Sequence, residues 1–385
     1  MNIISRLTAR FLAWHLKPTD AQNYDFLDGL RGLAILLVIA CHFLYVNPHS
    51  NIYVQFIGGI FAAGGCGVAL FFCLSGYLVS LPFWKRKLAG KTPVVPTGYS
   101  QRRFFKIYPP LVLSILLFTP IYIYIGHDPS YLVAAAEWLV GAPILFPVDG
   151  RFNPVMWSLI VEVQFYILLP VVMLLFRDIS MRKSIWIIPL VFASIGACFR
   201  YVFLAFKIHL PYPITYVPLL SGLDAFTMGV LVGGLYAMGF IRKSWAKIGN
   251  VGLLILFVML PVISFLHLTQ KESGIQTEAI DFILKIAFGC MLFLVADAEC
   301  FATRLLCNPL LRWFGIVSYE WYLFHQAIFL WFKGALGPAN GSPLTYLLIV
   351  GGSFVASLLL AALVYKYFSL PILIYARTRH KPIDK

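Results

Sequence analysis

Long apolar runs, broken by short clusters of charge, repeat along the whole chain. They extend roughly from 28 to 46, 57 to 82, 104 to 124, 154 to 176, 184 to 204, 217 to 240, 248 to 267, 280 to 298, 313 to 331 and 343 to 365. None alternates with a period of two, and each is near the roughly 20 residues that carry a helix across a hydrocarbon core. Lipid offers no partner to a backbone N–H or C=O, so runs of this kind have to be helices that pair their own backbone groups. The pattern predicts about ten transmembrane helices. A further stretch, residues 131 to 147, is apolar but carries Glu137, Pro143 and Pro147, and is expected to be interfacial or partly inserted.

Composition adds the solvent. Of 385 residues 60% are hydrophobic and 12% charged, with a mean hydropathy of +0.84. A soluble domain of this length needs far more charge to cover its surface. The expected fold class is therefore an all-α, polytopic integral membrane protein. A cytoplasmic amphipathic lead-in is expected at 1–27, a transmembrane domain at 28–366 and a basic cytoplasmic tail at 367–385. No separate soluble domain, low-complexity linker or internal repeat is evident. In the lead-in, Arg6, Arg10 and Lys17 interrupt a weakly apolar stretch, which is unlike the unbroken core of a cleavable signal peptide.

Charge gives direction. A formal net charge of +14 would point to nucleic acid if composition alone were read, but the positive residues lie in short segments between spans. An even span count places both termini on one side. With the termini in the cytoplasm, the inner segments collect most of the 30 lysines and arginines, and the outer segments hold Arg151, Lys207, Lys271 and Lys333. That asymmetry is the positive-inside pattern, so membrane lipid and not nucleic acid is the expected partner. The longest connection, from Pro82 to Arg103, is basic and free of acids; anchoring beside anionic lipid and docking of a phosphorylated ligand both fit it. The cysteines, at 41, 66, 73, 198, 290, 300 and 307, form no CxxC and are odd in number. They signal neither a disulfide framework nor a metal site, and most are expected to be small buried residues.

Polar groups inside spans are the candidates for chemistry, because lipid makes them expensive. Span one, DGLRGLAILLVIACHFLYV, holds Arg31 and His42. Eleven residues place the two on one helical face, about 16 Å apart along the axis. Arg31 can be an interfacial anchor or an anion ligand. His42 can make a helix–helix hydrogen bond or, neutral at that depth, act as a general base. Six glycines of span two (58, 59, 64, 65, 67 and 76) allow close helix approach without a phosphate-loop ending, and Ser75 lacks the setting of a nucleophile. Arg102, Arg103 and Lys106 precede span three, where they can grip a phosphate or anchor the helix. Span four, NPVMWSLIVEVQFYILLP, sets Trp157, Glu162, Gln164 and Tyr166 in apolar sequence. Glu162 needs a partner, with Arg31, His42 and a substrate hydroxyl as choices, and Tyr166 shares its face one turn on. Arg200, Asp224, an Asp281–Lys285 pair, Glu320, Tyr322 and His325 complete the set.

With these residues in view, the sequence resembles the membrane-bound acyltransferase-3 family, bacterial O-acyltransferases of surface or exported carbohydrates. The resemblance rests on FDGLRGLAILLVIACHF, FFCLSGYLV, RRFFKIYPP, WSLIVEVQFYILLP, DAFTMGVLVGG and FGIVSYEWYLFH, in family order over nearly the full chain. It implies a ten-span fold around a polar cavity in a bacterial cytoplasmic (inner) membrane, with Arg31 and His42 as the hallmark basic residue and histidine. It further implies acyl-CoA as the donor substrate from the cytoplasmic side, with acetyl-CoA the commonest expectation and succinyl or a branched chain open, and a saccharide or glycolipid hydroxyl as acceptor. No permanently bound cofactor and no metal is implied. Catalytic roles fall on His42 as base, Glu162 as its orienting carboxylate and Arg31; donor phosphates fall to Arg102, Arg103 and Lys106. Trp157, Tyr166, Asp224, Tyr322 and His325 are expected in the cavity or near the acceptor. Ile160, Val163 and Glu320 depart from the family pattern, which bears on substrate subclass more than on reaction type. Without the soluble esterase-like domain that some members carry after the last span, a stand-alone transferase is expected. Direct transfer and an acyl-histidine intermediate both fit, and a secondary transporter or flippase using Arg31, Glu162 and Asp224 is the rival reading.

Overall fold

The computed structural model describes residues 25–43, 66–91, 95–144, 153–205, 218–241, 250–251, 274–296, 300–337 and 343–379. These form helices only: α1 (Asp25–Phe43), α2 (Cys66–Leu88), α3 (Tyr99–Gly126), α4 (Tyr131–Leu139), α5 (Trp157–Leu175), α6 (Met181–Ala205), α7 (Pro218–Ala237), α8 (Gly274–Val295), α9 (Phe301–Leu306), α10 (Pro309–Ile316), α11 (Ser318–Leu336), α12 (Pro343–Val364) and α13 (Leu370–Arg379). Six helical stretches among the described residues are long and apolar enough to cross a membrane, and α7 and α8 contribute shorter apolar stretches. The protein is a polytopic helical membrane protein. The lead-in up to residue 24, nearly all of the span at 248–267, the glycines at 58, 59, 64 and 65, and the side chains of Arg200 and Asp281 lie outside the described residues.

Several boundaries move, for local physical reasons. The connection expected from Pro82 to Arg103 is shorter, because α2 continues past Pro82 to Leu88 and α3 begins at Tyr99. Lys87 donates to the carbonyls of Phe176 (2.7 Å) and Arg177 (2.9 Å), so a cation caps the end of α5 where the helix dipole favours it. The run at 313–331 is divided. α10 ends at Ile316 and α11 starts at Ser318, whose hydroxyl donates to the Gly315 carbonyl at 2.8 Å. The last helix does not stop at 365 but passes through a π-helical turn, Tyr365–Ser369, into α13, which packs on α3. The segment at 131–147 forms the short helix α4 and a 3₁₀ turn, Ala142–Ile144. All seven cysteines are free, and the expectation that most are buried fails: only Cys73 and Cys300 are buried, while Cys198 and Cys290 are exposed. On a spanning helix lipid solvates a small apolar thiol as well as a protein core does.

The chain forms two compact units, one from residues up to Leu78 with Met228–Tyr319, the other from Val79–Thr227 with Glu320–Lys385. In the first, α1 lies on α9 and α10 at backbone contact. A methyl group added at Gly29 would overlap the Leu306 carbonyl, at Gly32 the Leu311 carbonyl, and at Gly315 the Asp28 carbonyl. Arg312 closes the junction with an ion pair to Asp25 at 2.6 Å. Gly229 likewise brings α7 onto the α2 backbone at Cys73.

The second unit is held by aromatic packing. Phe165 of α5 stacks on Phe226 of α7 at 4.0 Å between centroids, and its other side meets Phe192 of α6 at 6.2 Å. On α11, Phe324 meets Phe118 of α3 at 5.5 Å, and the Trp321 indole N–H donates to Ser357 of α12 at 2.9 Å. The cost of a close approach separates two glycine substitutions. Gly32→Ala should lower stability by about 1–3 kcal/mol through overlap with backbone, whereas Gly351→Ala, with open space around it, should be neutral or slightly stabilising. Thermal unfolding of the two variants in detergent reads the difference, and equal melting would refute the backbone contact.

Candidate active site

Two acids, Asp25 and Asp28, open α1, where the helix dipole favours them, and His42 sits in its last turn. His42 Nδ1 lies 2.9 Å from the carbonyl of Val38, one turn back. A carbonyl oxygen only accepts, so the ring proton of neutral His42 is on Nδ1 and the lone pair is on Nε2. This backbone bond fixes both tautomer and ring orientation, which a general base requires. Arg31, eleven residues earlier on the same helix, is also half-buried. Among the described residues no hydrogen bond or ion pair holds its guanidinium, so a charged group sits half-buried in a spanning helix. Both residues belong to the first unit.

The second unit gathers Glu162, Tyr166, Tyr99 and Arg103. Tyr166 is buried and its phenol donates to Glu162 Oε1 one turn earlier on α5. The partner that Glu162 requires is thus supplied within its own helix. Tyr99, at the start of α3, donates to the Tyr166 carbonyl at 3.0 Å and ties the two helices together. Arg103 lies over the Tyr166 ring, with its guanidinium carbon 5.2 Å from the centroid. Gln164 donates to the Ile144 carbonyl at 2.8 Å and fastens the 3₁₀ turn after α4 to α5. Between α3, α4, that turn and α5 lies a cavity of about 710 Å³, lined by Arg103, Tyr166 and Trp138 among mostly apolar side chains.

The three cations expected to share donor phosphates divide. They stand within the first turns of α3, not ahead of it; Arg102 is exposed, Arg103 lines the cavity and Lys106 is half-buried. Tyr322 and His325 do not line this cavity. The Tyr322 phenol donates to the Val155 carbonyl at 2.7 Å and sits 2.8 Å from the Ser158 hydroxyl, while Asn153 donates to the Leu323 carbonyl at 3.3 Å. These bonds clamp the start of α5 to α11. His325 is fully buried, with Nδ1 2.8 Å from the Tyr322 carbonyl. Asp224 is buried and accepts from the Ala225 N–H at 3.0 Å. Trp157, half-buried, opens α5. Sequence reading passed over Tyr99, Trp138 and Ser158. Ser158 stood inside the quoted WSL stretch and was within reach; Tyr99 and Trp138 carried no spacing signal.

The first unit thus sets a backbone-pinned histidine in a spanning helix, and the second a carboxylate–phenol pair and a cationic helix start. Residues 24–365 match the acyltransferase domain of the acyltransferase-3 type, and the chain belongs to that family. It is similar to acyltransferase MdmB of Streptomyces mycarofaciens, 31% identical over 182 residues that make up 44% of each chain. It is 24% identical to the O-acetyltransferase OatA of Staphylococcus aureus (strain NCTC 8325 / PS 47), over 90% of this chain and 56% of that one. A chain of Staphylococcus aureus (strain COL), whose O-acetyltransferase activity is itself inferred, is 23% identical over 78% of this chain and 50% of its own. The chain spans about half the length of the curated relatives it matches. No solved structure matches it.

The phenol–carboxylate bond has a direct readout. Tyr166→Phe should cost about 1.5–3 kcal/mol, the range for a hydrogen bond to a charged group, and its effect should not add to that of Glu162→Gln. A double-mutant cycle by thermal unfolding measures the coupling; strictly additive losses would show that the two side chains do not bond.

Proposed function

We propose that this chain is an O-acyltransferase that moves an acyl group, most simply acetyl, from acyl-CoA to a hydroxyl of a cell-envelope or exported saccharide. Family membership supports the reaction class, and the O-acetyltransferase names of two relatives support acetyl. The observation that carries the reading is His42, pinned by the Val38 carbonyl so that Nε2 is the basic nitrogen inside a spanning helix. Nε2 takes the proton of the acceptor hydroxyl as its oxygen attacks the thioester carbonyl. The C–S bond breaks, and the imidazolium returns the proton to the departing thiolate, so the ring ends as it began. Arg31 offers its charge to an anionic part of the donor. Arg102, exposed at the start of α3, and Lys106 one turn on supply cations for coenzyme A phosphates. Glu162, which accepts a hydrogen bond from the Tyr166 phenol, is the carboxylate we assign to orienting the imidazole or the acceptor hydroxyl.

The same proposal places the protein in a bacterial inner membrane with about ten spans and both termini in the cytoplasm, on the strength of the positive-inside asymmetry. The acceptor is then a saccharide or glycolipid presented at or beyond the membrane.

The test is acyl transfer by the purified full chain in vesicles, with labelled acetyl-CoA and saccharide acceptors, read as ester product by mass spectrometry. His42→Ala should lower the rate by about 10²–10⁴, the usual contribution of a general base, with unchanged melting. A folded His42→Ala protein that keeps the full rate would sink the assignment.

A further inference from the structure

The cavity between α3, α4 and α5 has features that the acyl-transfer reading leaves unused. Its lining is mainly apolar, with Ile107, Leu111, Leu159 and Val163 among its walls. Phe104 of α3 and Ile167 of α5 also line it and are 51% and 58% exposed. On spanning helices, large exposed apolar side chains face lipid, so the mouth of the cavity opens toward the bilayer and not only toward water. Two buried donors at this cavity have no hydrogen-bond partner among the described residues: Arg103 Nε and the Trp138 indole N–H. Arg103 also forms no ion pair there. An unpaired buried donor is costly, and a cationic one more so, which calls for a ligand that brings acceptor oxygens.

We infer that this cavity is a binding site for an anionic phospholipid of the surrounding bilayer, its phosphate at Arg103 and one acyl chain along the apolar wall between α3 and α5. The chemistry of the three parts is matched. Arg103 stands in the first turns of α3, where the apolar span meets the basic connection, at the level of headgroups. Its planar guanidinium suits phosphate oxygens and lies over Tyr166, which holds the fork in one plane. The Trp138 N–H provides a second donor for an ester carbonyl, and the remaining lining repels polar ligands but welcomes a hydrocarbon chain. Arg102, one residue earlier and exposed, is left for a water-soluble anion. The site stands independently of the catalytic assignment to His42.

Native mass spectrometry of the full chain, purified in mild detergent and titrated with phosphatidylglycerol, phosphatidylcholine, glycerol phosphate or coenzyme A, tests the inference. The parent should retain one phosphatidylglycerol and bind phosphatidylcholine more weakly. Arg103→Gln should weaken phosphatidylglycerol by about tenfold or more, as loss of a charge-assisted bond does, and leave phosphatidylcholine unchanged; Arg103→Lys should keep most of the affinity. Val163→Trp, which fills the cavity, should reduce both lipids, with Leu159→Phe as a milder filler if that variant melts early. Equal retention of the two lipids by the parent and Arg103→Gln would overturn the proposal. So would displacement of the lipid by glycerol phosphate alone, which would make this a bare phosphate site, or by coenzyme A in an Arg103-dependent way, which would give the cavity to the donor.

Discussion

The backbone contact of α1 with α9 and α10 is the constraint on which the candidate catalytic helix depends. Arg31 and His42 sit on a helix surrounded by apolar sequence, and a charged side chain turned to lipid would carry a heavy penalty. The helix must therefore have a fixed rotation. Gly29, Gly32 and Gly315 provide it, because at each of them a carbonyl of the neighbouring helix lies directly against bare backbone. No other rotation of α1 offers Gly29 and Gly32 together to α9 and α10. The Arg312–Asp25 pair adds a polar latch at the helix start. The Val38–His42 bond then sets the imidazole itself. Packing fixes the helix, the helix fixes the ring, and the ring's tautomer fixes which nitrogen is basic.

The second unit solves the same problem with hydrogen bonds instead of glycines. Several of its polar groups are satisfied locally: Glu162 by Tyr166, the Tyr166 carbonyl by Tyr99, Tyr322 by Val155 and Ser158, Gln164 Nε2 by Ile144. In a medium without water each such bond replaces hydration that the group would otherwise lose outright. Arg103 Nε and Trp138 Nε1 are among the buried groups without a hydrogen-bond partner among the described residues, and these two line one cavity. Outside the membrane core, partial burial and the nearby Asp25 carboxylate raise the Cys307 thiol above its usual range, with Arg312 opposing. That keeps the thiol protonated beside the α1 latch and makes it a poor nucleophile.

Much of the fold was legible in the sequence, because lipid is a severe solvent. Apolar length alone located the long apolar helices that the structure describes, though not the short α9 or the α13 helix in the expected tail, and the interrupted stretch at 131–147 read as something other than a full span, as α4 and its 3₁₀ turn show. Boundaries were less legible. The continuation of α2 past Pro82, the break at Val317 and the π-helical passage into α13 depend on a lysine finding two carbonyls, a serine capping a turn and a helix meeting α3. Each of these is a contact between residues distant in sequence or a local hydrogen bond that hydropathy does not register.

For the site, the sequence by itself determined the residue types and their helical register: Arg31 and His42 on one face of α1, Glu162 and Tyr166 one turn apart on α5, and cations gathered at the start of α3. It could do so because a helix converts spacing into direction. Only the tertiary structure decided partners. It gave the Nδ1 proton of His42 to a backbone carbonyl, Glu162 to Tyr166, Tyr322 to a clamp between α5 and α11, and Arg103 to the cavity between α3, α4 and α5 while Arg102 stays exposed. Those outcomes turn on which helices touch, and no one-dimensional pattern carries the distance between two helices.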